Sequence, residues 1–142
     1  MSADSYLEVQ TLLADHYRNP RHWGVAAGGA SRYGRSPGCG DEQVIYATAR
    51  PGGEVVLSFR AKGCALSRAS TSILLEYVEG LSWAEISVLD ESVLLDLLGP
   101  EVVHSRPKCA LLGLGLLREL AQQRHGDPAE ERRGEPAERR RG

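Results

Sequence analysis

The stretch Lys62-Gly63-Cys64-Ala65-Leu66-Ser67-Arg68-Ala69-Ser70 joins a strand-like run to a helix-like run. Before it, apolar residues alternate with more polar ones over residues 55–62, as in a strand with one covered face. After it, apolar residues recur at helical spacing from Leu66 until Gly80. The stretch therefore predicts a strand, a glycine turn and a helix. It also predicts that Cys64 lies at the helix N-terminus, where partial positive charge favours thiolate over thiol.

Patterns elsewhere in the chain predict two more strands and four more helices. The alternation in residues 55–62 indicates an antiparallel sheet that is covered on one side. In the first helix, apolar and aromatic residues at three- and four-residue spacing mark one face, namely Tyr6, Val9, Leu13 and Tyr17. The predicted strands are 32–36, 43–49 and 55–62, with a hairpin turn between the last two at 51–53. Besides the helix after Cys64, four helices are predicted: at about 5–18, in a short segment after Ser82, at about 91–98, and from Pro107 onward.

Length and composition predict one globular domain in the cytoplasm. The chain has 142 residues, 42% hydrophobic and 25% charged, with a net charge of -2, which gives no electrostatic reason to expect nucleic acid or an anionic membrane as a partner. The first residues lack the basic and apolar regions of a signal peptide, and the apolar runs are too short for a membrane span. An odd number of cysteines, three, favours metal binding or thiol chemistry in a reducing compartment.

The last residues differ in composition from the rest of the chain. Residues 126–133 are echoed by residues 134–141, and both are rich in charge, glycine and proline with almost no large apolar side chains. Such a segment cannot bury enough apolar surface to offset the entropy of ordering. We therefore expect a domain at residues 1–125 and a disordered low-complexity tail at residues 126–142.

Three cysteines and one aspartate are candidate metal ligands. Cys39 and Asp41 are two residues apart in a glycine-rich loop, so both side chains can point to the same side. Cys64 and Cys109 each fall where a helix begins. Three thiolates and a carboxylate suit a tetrahedral zinc site, and the same thiolates suit iron-sulfur chemistry. Positive charge near two of these cysteines, from Lys62, Arg106, Lys108 and the helix N-termini, would offset the excess negative charge.

Purely structural interpretations of these residues, and other functional classes, stand beside the metal-site hypothesis. A single free cysteine is most often a small buried hydrophobic residue, and a histidine in a loop such as His104 is most often solvated. Trp23 is interpreted as an anchor or a partner contact. The hydroxyl residues that follow Cys64 are expected to relieve close packing or to face solvent, namely Ser67, Ser70, Thr71 and Ser72. Two other functional classes are an interaction module with a structural zinc site and a hydrolase with a cysteine nucleophile that uses His104.

Four motifs resemble those of the IscU/SufU/NifU-N family of iron-sulfur cluster assembly proteins. The resemblance covers about residues 6–124, and the order of the motifs makes it specific. The motifs are Asp15-His16-Tyr17-Arg18-Asn19-Pro20-Arg21, Pro37-Gly38-Cys39-Gly40-Asp41, Gly63-Cys64-Ala65-Leu66-Ser67-Arg68-Ala69-Ser70 and Arg106-Pro107-Lys108-Cys109. This resemblance implies an α+β fold of the SufE/NifU-like kind, in which a small three-stranded antiparallel sheet has helices packed on one face.

The resemblance also implies a function for the four candidate ligands. Cys39, Asp41, Cys64 and Cys109 would receive persulfide sulfur from a cysteine desulfurase and bind iron, a [2Fe-2S] cluster or zinc. The product would pass to apo iron-sulfur acceptor proteins. Such a protein is a scaffold rather than an enzyme, or at most a zinc-dependent sulfurtransferase that acts with the desulfurase. We expect Cys39 to be the persulfide acceptor, because its glycine neighbours hinder approach least.

Two branches of that family differ at positions that this chain contains. Lys108 stands where the IscU branch has a histidine before its third cysteine, which favours the SufU branch. The interval from Cys64 to Cys109 is, however, too short for the insertion that SufU proteins commonly carry. Both zinc and an iron-sulfur cluster therefore remain open as the cofactor.

Overall fold

A three-stranded antiparallel sheet lies at the centre of the computed structural model, which describes residues 3–26, 29–36, 40–49 and 55–125. The strand order is β1 (Ala30–Arg35), β2 (Glu42–Ala49) and β3 (Val55–Lys62). The predicted antiparallel pairing is confirmed, with Ile45 opposite Phe59. The predicted hairpin turn at 51–53, Cys39 and the tail at 126–142 lie outside the described residues.

Helices cover one face of the sheet. The helix α2 (Ala65–Tyr77) packs against β3, and α6 (Pro107–His125) packs against β1 and β2. Inward residues of β2 and β3 such as Ile45 and Phe59 are fully buried, whereas Arg60 and Lys62 face solvent. This confirms the predicted α+β class. No helix within the described ranges is long and apolar enough to span a bilayer. The helices are α1 (Ala3–Arg18), α2 (Ala65–Tyr77), α3 (Trp83–Ser87), α4 (Ser92–Leu98), α5 (Pro100–Ser105) and α6 (Pro107–His125).

One helix, α5, was not predicted from the sequence. The pair Gly99-Pro100 predicts the end of α4, and it does end that helix, with Gly99 at φ 88°. Pro100 then occupies the first turn of α5, because a missing N–H costs nothing there and the ring fixes a helical φ. His104 consequently lies in the last turn of a helix, and the expectation that it lies in a loop is wrong.

The inward face of α1 differs from the sequence pattern. Tyr6 and Tyr17 are each 43% exposed, whereas His16 is only 2% exposed. The reason is that α1 packs against α2, which provides Ser72 as a polar partner for His16. Ser72 Oγ lies 2.7 Å from His16 Nδ1 and accepts a 2.7 Å hydrogen bond from the backbone N–H of Arg21. Periodicity alone cannot identify a buried histidine whose partner lies on another helix.

The hydroxyl side chains of the first part of α2 also differ from expectation. They are buried and none faces solvent, and three of them make hydrogen bonds to other elements of the fold. These residues are Ser67, Ser70, Thr71 and Ser72. The hydroxyl groups therefore link α2 to its neighbours through polar contacts in addition to allowing close packing.

The buried His16 predicts that stability falls in mild acid. Burial lowers the pKa of His16 below 6.5 and Arg21 lowers it further, whereas Glu76 and Asp15 raise it. The unfolded chain therefore takes up a proton at a higher pH than the folded chain does. This contribution to stability is complete above the unfolded pKa and declines as the pH falls below it, by at most about 1.4 kcal/mol per pH unit.

Urea unfolding between about pH 7.5 and pH 5.5 tests this expectation. We expect the free energy of unfolding to decline with falling pH in the wild-type chain and to decline less steeply in His16→Gln. Equal slopes in the two proteins would contradict the expectation, whatever their absolute stabilities.

Candidate metal centre

Three of the four candidate ligands meet at one end of the sheet. Asp41 immediately precedes β2, Cys64 is the N-cap residue of α2, and Cys109 lies in the first turn of α6. Their side-chain ligand atoms all lie within 4.8 Å of one another. The strand ends and helix starts converge here because α2 follows β3 directly and α6 packs beside α2. Where Cys39 lies relative to them remains a sequence prediction.

Asp41 is the most buried member of this group. It is 0% exposed, and its Oδ1 atom accepts a 2.7 Å hydrogen bond from the backbone N–H of Cys64. Its Oδ2 atom lies 3.4 Å from Cys64 Sγ. Burial by itself would raise the pKa of Asp41, but hydrogen bonds from Cys109 and Cys64, together with the nearby charge of Arg106, outweigh it and lower the pKa. A buried carboxylate therefore stays ionised beside two sulfur atoms.

Gly63 lets the chain pass close to Asp41. Its φ of +126° is a conformation that residues with a side chain rarely adopt. A Cβ atom at this position would lie 2.2 Å from Asp41 Oδ1 and 2.8 Å from Asp41 Cα. The predicted glycine turn between β3 and α2 therefore brings the N–H of Cys64 within hydrogen-bonding distance of the Asp41 carboxylate.

A buried glutamine links β2 to α2 just behind the candidate ligands. Gln43 is 1% exposed, and its Nε2 atom donates to Ser67 O at 3.1 Å and to Ser67 Oγ at 2.6 Å. Its Oε1 atom accepts a 2.8 Å hydrogen bond from Thr71 Oγ1. The helix α6 approaches the same point through Gly113, where a Cβ atom would lie 2.1 Å from Thr71 Oγ1. Gln43 thus links β2 to α2 through hydrogen bonds, and Gly113 lets α6 pack close to both. These three elements position Asp41, Cys64 and Cys109.

Replacement of Gln43 by leucine should lower the free energy of unfolding by about 2 to 3 kcal/mol, because Thr71 and the Ser67 carbonyl would lose their buried partner. Urea denaturation measures the change. The matched control is Gln122→Leu, since Gln122 is exposed and a loss below about 0.5 kcal/mol is expected there. Equal losses of unfolding free energy in the two variants would show that the buried hydrogen bonds of Gln43 stabilise the fold no more than the exposed side chain of Gln122 does.

Sequence reasoning gave no role to Gln43, although a signal for it exists. Gln43 occupies the inward register of β2, two residues before the buried Ile45 and four before the buried Ala47. A polar residue at an inward position of a strand indicates a buried hydrogen-bond partner. That partner, on α2, cannot be identified from the strand pattern alone.

The two described cysteines differ in access to solvent. Cys64 is partly exposed, and Cys109 is 2% exposed. Around them, Lys62, Arg106 and Lys108 are exposed, as the sequence suggested for a positively charged surrounding. Within the described part of the chain, the group of potential metal ligands contains no histidine, so His104 is not brought to these sulfur atoms.

This arrangement can be compared with known protein families. Residues 8–123 match the family model of the NifU-like N-terminal domain. The chain belongs to this family. The resemblance seen in the four sequence motifs is thereby confirmed, and the match includes every candidate ligand.

A relative of this NifU-like domain is the zinc-dependent sulfurtransferase SufU of Bacillus subtilis strain 168. The two are 32% identical over 84 residues, which is 56% of this chain and 56% of the relative. The chain thus spans about half the length of the curated relative that it matches.

Solved structures show the same fold as this NifU-like domain. The N-terminal NifU-like protein of Brucella abortus superposes with a TM-score of 0.60 at 16% identity, covering 86% of this chain and 99% of that one. A protein of Fervidobacterium islandicum AW-1, described as an iron-sulfur cluster assembly scaffold for the SUF system, gives a TM-score of 0.57 at 23% identity, covering 76% of this chain and 92% of that one. At these identities the likeness supports the fold alone.

Proposed function

We propose that this NifU-like domain takes part in iron-sulfur cluster assembly by accepting sulfur from a cysteine desulfurase at a metal centre formed by Cys39, Asp41, Cys64 and Cys109. The observation that carries the proposal is the convergence of Asp41, Cys64 and Cys109, with ligand atoms within 4.8 Å of one another. Membership of the NifU-like N-terminal domain family supports it. Apo iron-sulfur proteins are the proposed recipients of the product.

The donor atoms fit a small tetrahedral ion. Bonds of about 2.0 to 2.3 Å to one ion require neighbouring ligand atoms roughly 3.3 to 3.8 Å apart. Atoms that already lie within 4.8 Å reach such distances through small side-chain rotations. When the thiols lose their protons to bind a metal, negative groups gather around the fully buried Asp41, and such charge is costly without a cation.

Zinc is the first choice for the resident ion. The relative from Bacillus subtilis is named a zinc-dependent sulfurtransferase, and Cys and Asp side chains are zinc ligands. When bound, zinc would lower the pKa of the cysteine thiols that hold it. A [2Fe-2S] cluster is the alternative, because the same thiolates suit it and the structural neighbour from Fervidobacterium islandicum is described as a scaffold.

The sulfur-accepting step needs a reachable thiolate on this chain. A cysteine thiolate attacks the outer sulfur of the persulfide on the desulfurase, a new sulfur–sulfur bond forms, and the desulfurase cysteine leaves as a thiolate. Cys39 stays our choice of acceptor on the basis of its glycine-rich sequence neighbourhood. Cys64, the partly exposed one of the two described cysteines, is the second candidate for the sulfur acceptor.

Metal and acid-labile sulfide analysis of anaerobically purified protein tests the metal centre. About one zinc per chain without sulfide would support a zinc-bound acceptor, and iron with matching sulfide would support a cluster scaffold. In either case Cys64→Ala and Cys109→Ala should lose the metal, whereas Lys108→Ala, a neighbour of Cys109, should keep it. Absence of metal from the wild-type protein would contradict the proposed centre.

Mass spectrometry after incubation with desulfurase and cysteine tests the sulfur transfer. One added sulfur on the wild-type chain, and none on Cys39→Ala, would support Cys39 as acceptor. Full transfer to Cys39→Ala would exclude Cys39. A zinc-bound wild-type protein that accepts no sulfur, with thiols that resist alkylation, would instead identify a structural zinc site in an interaction module.

A further inference from the structure

Two arginines share one exposed tryptophan on a surface that borders the candidate metal centre. The guanidinium of Arg68 lies 4.6 Å from the ring centre of Trp23, and that of Arg60 lies 5.3 Å from it. Arg68 also lies 5.3 Å from the ring centre of Tyr17. Both aromatic side chains are exposed by more than a third. We refer to Tyr17, Trp23, Arg60 and Arg68 as the arginine platform.

Contacts of Trp23 and His22 with the rest of the fold hold the platform in place. Trp23 packs edge-on against the fully buried Phe59, with ring centres 5.2 Å apart, and forms a backbone bridge with it. The preceding residue, His22, has a φ of +62°, which costs free energy for a residue with a side chain. Hydrogen bonds of the His22 ring to Leu57 O and to Glu79 hold this conformation. The hydrogen bonds of His22 and the packing on Phe59 therefore hold Trp23 beside the two arginines.

The charges of the platform are not neutralised within the described residues. The side chains that contact a carboxylate there are Arg21, Arg32 and the imidazoles of His16 and His22, and neither Arg60 nor Arg68 contacts one. Two like charges beside one indole repel each other, and stacking on aromatic faces offsets part of this cost. An anionic group that binds beside these guanidinium groups would offset their charge and form charge-assisted hydrogen bonds.

The platform is adjacent to Cys64. The backbone N–H of Arg68 donates to Cys64 O at 3.4 Å, one helical turn earlier in α2. Side chains four residues apart lie on the same face of a helix. Arg60 lies on the exposed face of β3, two residues before Lys62 and four before Cys64. A protein that delivers sulfur directly to this centre must therefore approach close to the platform.

We propose that the arginine platform is a docking surface for an acidic segment of the cysteine desulfurase, a proposal that rests on the function proposed above. The planar fork of a guanidinium matches a carboxylate in two parallel hydrogen bonds. Arginine and aromatic residues that are held rigidly are also the side chains that dominate binding at protein interfaces. Nucleic acid is a weaker match, because the chain as a whole carries a net charge of -2.

Calorimetric titration of the 142-residue chain with the cysteine desulfurase of the same organism tests the proposal. The double variant Arg60→Gln/Arg68→Gln should bind about 10- to 100-fold more weakly than the wild type, with a smaller dependence on salt. Arg60→Lys/Arg68→Lys should recover part of the affinity, since it keeps the charge but loses the fork. Arg32→Gln removes an exposed guanidinium from β1, away from the platform, and as the control for loss of surface charge it should bind within about twofold of wild type.

The outcomes separate this proposal from the proposed function. If the wild-type chain binds the desulfurase and takes up its sulfur while the double variant binds equally well, the docking proposal alone fails. If the wild-type chain neither binds the desulfurase nor accepts sulfur, both proposals fail. Binding of a short single-stranded RNA that the double variant loses, with unchanged desulfurase affinity, would also overturn the docking proposal. Metal content should be the same in all these variants, because the platform contributes no ligand.

Discussion

Replacement of Gly63 by alanine should lower the free energy of unfolding by about 3 kcal/mol or more and weaken metal binding at least about tenfold. The backbone conformation, at φ +126°, is strained for alanine, and the new Cβ atom would lie 2.8 Å from Asp41 Cα. Because that neighbour is backbone, it cannot rotate away. The chain must move instead, and the Cys64 N–H then loses its 2.7 Å hydrogen bond to the carboxylate. Urea denaturation and competition with a chromogenic chelator measure the two effects.

Gly80→Ala is the matched control for this prediction. Gly80 also has a positive φ, +85°, but a Cβ atom there would meet nothing within 4 Å. We expect a loss of about 1 to 2 kcal/mol from backbone strain alone and unchanged metal affinity. If Gly63→Ala behaves like Gly80→Ala in both measurements, then close approach to Asp41 is not what the metal centre requires.

Removal of the metal should lower the thermal midpoint by about 10 °C or more. Metal that binds only the folded chain stabilises it by about 4 kcal/mol when its concentration is a thousand times the dissociation constant. For a domain of this size, each kcal/mol corresponds to several degrees. The physical cause is the buried, ionised Asp41 beside Cys64 and Cys109, because the proposed metal would offset the negative charge of this group. Differential scanning calorimetry before and after chelation, and after zinc is restored, measures the change.

A double variant provides the control for chelation. Cys64→Ser/Cys109→Ser should start near the midpoint of the chelated wild type and show no further response to chelator or to zinc. A wild-type midpoint that stays constant while metal analysis records complete removal would show that the centre does not stabilise the fold.

Local patterns in the sequence were enough to predict most elements of the fold. The alternation in β3 and the helical spacing of α2 each follow from the repeat of the local backbone conformation, which turns regularly spaced residues towards one face, so they are visible in the sequence itself. The capping box predicted at Ser82 is likewise local, and it is present, with the side chain of Ser82 accepting from the N–H of Glu85. The helix α5 was missed because the same glycine and proline that end one helix can begin another.

The candidate ligands were chosen from residue type and position, and only the tertiary structure decided that three of them meet. Asp41 and Cys109 are far apart in sequence, and their approach depends on how α6 packs against α2 and the sheet. The same packing buries His16 against Ser72 and Gln43 against Thr71, contacts that no periodicity reveals. The sequence by itself determined which segments become strands and helices and which side chains can bind metal, because these properties are local. The tertiary structure determined which side chains come within reach of one another, because that depends on the packing of distant segments.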